Sequence, residues 1–333
     1  MSPWFQKRFA MTLLAPLMAC RLEAAANDPS TNPPPGWPEE VREIRFVCHA
    51  DQTEQPALFR PVVSKTPRPL LVFLHQWGGD YHAKAGAAVA RWCVEKDWNF
   101  LQPDFRGPNK RPEAMGSDLV LADLESVVGF ARQYASVDDK RIYLLGASGG
   151  GYAALLAAGR LPGLFQAVSA WVPITDLVAW SAQCADTPHK RFTRDITTNC
   201  GGPLTPGSAA EAEAIRRSPR THLKKSQGTI FDLNAGIHDG HTGSVPVSHT
   251  LNAYNLLARP EDQVAEEAIR IMTSEARVPE KWRFSGTDET YGDRPVLFRT
   301  ESEGVRVTLF EGGHEMVRDA ALAWLEGVSA GAE

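Results

Sequence analysis

Arg141-Ile142-Tyr143-Leu144-Leu145-Gly146-Ala147-Ser148-Gly149-Gly150-Gly151-Tyr152 reads as a buried strand, a turn open only to small residues, and the first turn of a helix. Ser148 stands at the apex. The pattern G-x-S-x-G lifts a serine hydroxyl above the carboxyl end of a parallel strand, in the tight turn called a nucleophile elbow. Glycine is needed there because strand and helix pass within a side chain's width and the serine takes unusual dihedrals. The pentapeptide alone arises often by chance. Its setting gives it weight: an apolar strand before, and an Ala-rich helix from Tyr152 to Arg160 after.

Outward from the elbow, strand and helix patterns alternate. Strands are predicted at 43–48, 57–63, 69–75, 99–103, 165–172, 229–234 and 305–310. Helices are predicted at 117–134, 248–258, 261–276 and 316–325, with another ending at 91–96. Strands this dense in Val, Leu and Ile imply an α/β architecture, a mostly parallel sheet covered by helices on both faces. Residues 174–228 break the alternation. They are rich in Trp, Arg, Thr, Pro and Gly, with one helical piece at 208–216, and read as a small cap inserted between two strands.

The chain is 333 residues long with 43% hydrophobic content, enough for one large domain, here 41–330. A net charge of -5 argues against nucleic acid and against an anionic membrane surface as partners. No stretch beyond the first 20 residues is apolar enough to span a bilayer. The start reads as an export signal, residues 1–26: Lys7 and Arg8, a short apolar run, then Ala24-Ala25-Ala26 as cleavage site. This places the protein in the periplasm or outside a bacterial cell. Leu17-Met18-Ala19-Cys20 offers a second reading, a lipobox that would leave Cys20 lipidated. Residues 27–40 read as a Pro-rich linker outside the fold. Cys184 and Cys200 fall in one irregular region and are candidates for a bond, whereas Cys48 and Cys93 read as small core residues.

A serine hydroxyl is a poor nucleophile until a base takes its proton, and the base needs a carboxylate to orient it. The expected chain order is Ser, acid, His. His314 fits the base, since it follows the last strand within Phe310-Glu311-Gly312-Gly313-His314-Glu315. Asp239, in Ile237-His238-Asp239-Gly240-His241, is the preferred acid; Asp288 and Asp293 compete, and Asp232 lies too deep in its strand. An oxyanion hole needs two backbone N–H groups. Gly149 supplies one, and Trp77, with Gln76 second, supplies the other from His75-Gln76-Trp77-Gly78-Gly79. His238, His241 and His249 lack the helical spacing of a zinc site, so no metal is expected, and His238 and His241 are placed in the substrate pocket. The Gly-rich turn has neither G-K-[ST] after it nor a G-x-G-x-x-G, so no nucleotide or other cofactor is expected.

Four segments, LLVFLHQWGG (70–79), PDFRGPN (103–109), RIYLLGASGGGYAAL (141–155) and IHDGHTGSVPVSH (237–249), closed by FEGGHE, resemble the α/β-hydrolase fold. Within it the chain is similar to the catalytic domains of the prolyl oligopeptidase and acetyl xylan esterase groups, over residues 41–328. The resemblance implies Ser148 as nucleophile, Asp239 as acid and His314 as base. The sequence departs from the pattern twice. Asp239 precedes Val245-Pro246 by six residues where the group has three, and Gln76 stands where a glycine is common. Only about 40 residues separate the linker from the core strands, too few for the gating β-propeller of prolyl oligopeptidases. The leaner expectation is therefore an exported esterase working through an acyl-enzyme. Trp180, Arg191, Phe192 and Arg194 in the cap point to a small-molecule or oligosaccharide ester, such as a plant or algal polysaccharide ester. A peptidase of prolyl oligopeptidase type acting on short peptides, and a noncatalytic binding member of the fold, are the alternatives.

Overall fold

The computed structural model describes residues 33–226 and 228–332. In chain order the elements are β1 (Arg42–Val47), β2 (Glu54–Arg60), β3 (Arg68–Leu74), α1 (Ala85–Glu95), β4 (Asn99–Pro103), α2 (Asp118–Tyr134) and β5 (Val137–Ala147). They continue with α3 (Gly149–Arg160), β6 (Ala167–Trp171), α4 (Leu177–Cys184), α5 (Arg191–Cys200), α6 (Ala209–Arg217) and β7 (Ile230–Gly236). The last are α7 (Ser248–Leu257), α8 (Glu266–Glu275), β8 (Val296–Ser302), β9 (Val305–Phe310) and α9 (Arg318–Ala330).

Among the described residues the sheet has nine strands, in the order β1-β2-β4-β3-β5-β6-β7-β9-β8. The run from β4 to β9 is parallel, with antiparallel strands at both ends. This is the α/β-hydrolase fold expected above. From β3 the chain steps outward to β4 and then returns past β3 to β5. The connections therefore diverge at β3 and β5, which opens a crevice beyond their carboxyl ends. Ser148 follows β5 and Trp77 follows β3, so both arrive at that crevice.

The period-2 alternation of the strands divides the core. On β3, Leu70, Val72 and Leu74 join α2 and α3 on one face, while Leu71 and Phe73 join α1 and α9 on the other. On β5, Ile142 and Leu144 face the first layer and Tyr143 and Leu145 the second. Each fully buried Leu or Val of this kind contributes about 2 kcal/mol.

Several features differ from expectation. Trp37, assigned to the linker, is buried against Phe100 with ring centroids 6.1 Å apart, because an indole gains more by covering apolar surface than by hydration. Among the described residues the cap holds three α-helices rather than one helical piece. Asp176 starts α4, its side chain accepting from Val178 N–H and Ala179 N–H, and Gly201 closes α5 in the left-handed region at φ 86°. Phe192, Ile196 and Cys200 recur at helical spacing on α5 and sink into the same core as β3. The cap is thus packed onto the fold. β8 was not foreseen; it forms a hairpin with β9 through Glu303-Gly304, with Gly304 at φ 76°. Cys48, Cys93, Cys184 and Cys200 are free and buried, so Cys184 and Cys200 are not bonded.

The cap is tied to α7 through buried His249. Its Nδ1 accepts the Thr175 N–H (3.2 Å), which leaves Nε2–H to donate to Gln183 Oε1 (2.9 Å). Burial lowers this imidazole from 6.5 to about 4. Between those values the unfolded chain binds a proton that the folded chain refuses, so stability is lost as pH falls through that window. The loss reaches about 3 kcal/mol. Denaturant titrations at pH 7 and 4.5 check this: His249→Gln, less stable at pH 7, should lose about 2 kcal/mol less than wild type between the two.

Candidate active site

Ser148 has φ 56° and ψ -119°, a strained conformation held by its N–H donating to the Trp171 carbonyl (2.8 Å). The strain is fixed by the crossing of α3 over the sheet. A Cβ at Gly150 would stand 2.2 Å from the Leu74 carbonyl oxygen, so only glycine lets the helix start this close. Ser148 Oγ lies 2.8 Å from His314 Nε2, and His314 Nδ1 lies 2.7 Å from Asp239 Oδ2. Asp239 is fully buried, and its other oxygen accepts the N–H groups of Gly240 (2.9 Å) and Val245 (3.1 Å). These bonds fix the direction of the carboxylate.

The extra residues between Asp239 and Val245 do not displace the acid. The loop folds back so that Val245 N–H caps the carboxylate, and Gly243 permits the fold, since a Cβ there would fall 2.2 Å from Asp239 Oδ1. The rival carboxylates are engaged elsewhere. Asp288 pairs with Arg299, Asp293 with Arg294, and Asp232 accepts from Ser169 and Asn234 and pairs with Arg306.

Gly149 and Trp77 meet backbone to backbone: a Cβ at Gly149 would lie 2.3 Å from the Trp77 nitrogen. Neither N–H donates to another group among the described residues. Gln76 is exposed and its carbonyl is turned back to accept Gly79 N–H (2.9 Å), which leaves Trp77 the nearer partner. The loop is held from beneath. His75 stacks on Phe105 at 4.1 Å, its Nε2 faces the Asp104 carbonyl at 2.9 Å, and Asn109 N–H donates to the Trp77 carbonyl at 2.9 Å. That second loop is clamped by buried Arg106, whose guanidinium forks onto Asp123 (2.8 Å, twice) and reaches Asp51 (2.8 and 3.1 Å).

Over the serine opens a cleft of about 750 Å³ lined by Phe73, Leu74, Val172, His189, Arg191 and Met316 among others. Thr242, Gly243 and Ser244, the additional residues of the acid loop, form one wall. Three sequence expectations fail here. His238 bonds Glu311 (2.6 Å) and His241 faces the Thr273 carbonyl (2.9 Å), both outside the cleft lining. Trp180 is fully buried, its indole N–H donating to the Ser244 carbonyl (2.7 Å), so it offers no platform to a sugar. Arg191 does line the cleft. His189, Thr242 and Ser244 were missed, because nothing in a loop's residue pattern tells which side chains turn inward.

The profile of the prolyl oligopeptidase family matches residues 88–274, more than half of the chain. The chain belongs to the prolyl oligopeptidase family. Its members are serine hydrolases, and the matched stretch holds Ser148 and Asp239; His314 lies beyond it and is brought to them by the fold. An uncharacterised protein of Salmonella typhi, YfhR, is 28% identical over 127 residues, 38% of this chain and 43% of that protein. A puromycin-hydrolyzing peptidase of Mycobacterium tuberculosis superposes with a TM-score of 0.54 at 15% identity, over 86% of this chain and 38% of that one. A puromycin hydrolase gives 0.56 at 13% identity, over 86% and 37%. The acylaminoacyl peptidase of Pyrococcus horikoshii gives 0.50 at 18%, over 66% and 34%. The chain thus spans well under half the length of each relative, and the likeness to the solved structures establishes the fold.

Two substitutions separate the roles of the relay. Ser148→Ala should abolish labelling by a fluorophosphonate and lower kcat about 10⁶-fold. Asp239→Asn should still label, but slowly, and lower kcat about 10⁴-fold, since an amide no longer enforces the imidazole tautomer. Steady-state kinetics alongside gel-based labelling reads both.

Proposed function

We propose that the chain is a serine peptidase that cleaves short peptides through an acyl-enzyme. His314 Nε2 takes the Ser148 proton as Oγ attacks the scissile carbonyl, and Asp239 offsets the charge that develops on the imidazole. The tetrahedral oxygen is received by the N–H groups of Gly149 and Trp77, at the amino end of α3 where the helix field favours negative charge. The imidazolium then returns its proton to the departing amine, and water releases the acyl group by the same route.

The observation that carries the peptide half of this reading is Arg191. It lines the cleft and has no ion-pair partner among the described residues, whereas the carboxylate of Glu315, also in the lining, is neutralised by Arg294 at 2.7 Å. A guanidinium without a carboxylate partner, lying over the Phe192 ring at 4.6 Å, suits the carboxylate of a short peptide. Ester cleavage is the second reading, favoured by the apolar wall of Phe73, Leu74, Val172 and Met316, which suits an alkyl or aryl ester. A polysaccharide ester has lost its motive with the burial of Trp180.

Export belongs to the same proposal. The signal segment 1–26 and Cys20 lie outside the described residues, and the mass of the chain recovered from its native host distinguishes cleavage after Ala26 from lipidation of Cys20.

A panel of peptides with free and amidated carboxyl termini, run beside p-nitrophenyl esters, tests the substrate. Peptide turnover by wild type is expected, with Arg191→Met raising KM about tenfold for the free acids and leaving the amides unchanged. Turnover of esters alone would replace the peptidase by the esterase.

A further inference from the structure

The cap does more than roof the cleft. On α5, Asp195 Oδ2 accepts the indole N–H of Trp77 at 3.1 Å, and this carboxylate has no ion pair among the described residues. The Trp77 ring is enclosed by Trp180 at 4.9 Å and Phe192 at 6.0 Å from the cap and by Tyr152 at 5.9 Å from the elbow helix. Asn199, also on α5, donates to the Asn109 carbonyl at 2.9 Å, and Asn109 N–H holds the Trp77 carbonyl at 2.9 Å. Helix α5 therefore grips the Trp77 peptide through its side chain and through its carbonyl. On α4, the Trp180 indole N–H grips the other catalytic loop at the Ser244 carbonyl (2.7 Å), one residue before the Val245 N–H that caps Asp239.

We propose that Asp195 and Trp180 are positioning residues for the reaction: through two indole N–H bonds the cap sets the oxyanion loop and the acid loop. This rests on the hydrolase reading above, in which Trp77 N–H receives the oxyanion and Asp239 orients the base. The Trp77 amide sits in a loop rather than a strand, so no ladder of backbone bonds fixes it. An oxyanion donor has to be in place before charge develops, and a hole set loosely costs transition-state stabilisation without costing substrate binding.

The test is kinetic, on the full chain, with a p-nitrophenyl ester, a peptidyl p-nitroanilide and a fluorophosphonate. Asp195→Ala should lower kcat about tenfold or more with KM within about twofold, and slow fluorophosphonate labelling in proportion. Asp195→Asn, which keeps an acceptor oxygen, should restore most of both. If Asp195→Ala does not fold, Trp77→Phe removes the same bond from its other end and should show the same kcat loss. Trp180→Phe keeps an aromatic ring, smaller than the indole, and loses the bond to Ser244; it should lower kcat several-fold at unchanged KM. Unchanged kcat in Asp195→Ala, or no recovery in Asp195→Asn, overturns the role of Asp195, and unchanged kcat in Trp180→Phe overturns that of Trp180. Wild type that resists the fluorophosphonate and turns over neither substrate would instead defeat the hydrolase reading itself.

Discussion

The architecture of the site depends on one backbone-to-backbone contact, where the first turn of α3 passes the Leu74 carbonyl with no side chain between them. That approach brings the end of β5, with Ser148, against the end of β3, with Trp77. Two amides, one in the loop after β3 and one at the start of α3, become neighbours because nothing bulkier than hydrogen lies on Gly149 or Gly150. The sheet order then makes this the place where the chain leaves a crevice. A strained serine, an amide pair and an opening share one location for a single steric reason.

Around this contact the loops are held by bonds of different kinds. The acid loop closes on its own carboxylate, so lengthening it moved its outer residues into the cleft wall and left Asp239 in place. The oxyanion loop relies on its neighbours: the ring of Phe105 below, Asn109 beside it, and the cap above. Arg106 underlies that arrangement. A guanidinium this buried is tolerable because two carboxylates take up its donors, and removal of either would leave part of that donor set without acceptors inside the protein.

The elbow, most of the strands and the relay residues were legible in the sequence because each carries a local signal. Glycines mark close approaches, apolar runs mark buried strands, and His314 and Asp239 follow strands in the expected order. The cap was legible only in part. Its α5, RFTRDITTNC, is polar on average, and the stripe of Phe192, Ile196 and Cys200 is visible only once a helix is assumed. Trp180 was misread because an aromatic residue in a polar insertion suits burial and ligand stacking equally well. His238 and His241 were misplaced for a related reason: adjacency to the acid in sequence says nothing about direction in an irregular loop. β8 was missed because Thr300 and Ser302 stand where apolar residues would continue the face begun by Val296 and Phe298, although the Glu-Gly pair before β9 was a usable turn signal.

The four buried cysteines carry a consequence of a different sort. They are unpaired, and burial pushes the thiols of Cys184 and Cys200 up to about 11 and that of Cys93 higher still. A thiol reacts with oxidants and alkylators as its thiolate, which at neutral pH is scarce at these positions and shielded from the reagent. The described fold therefore owes none of its stability to the surrounding redox potential. Its cysteines stay chemically silent while the chain is folded, and their modification becomes a clock for its opening.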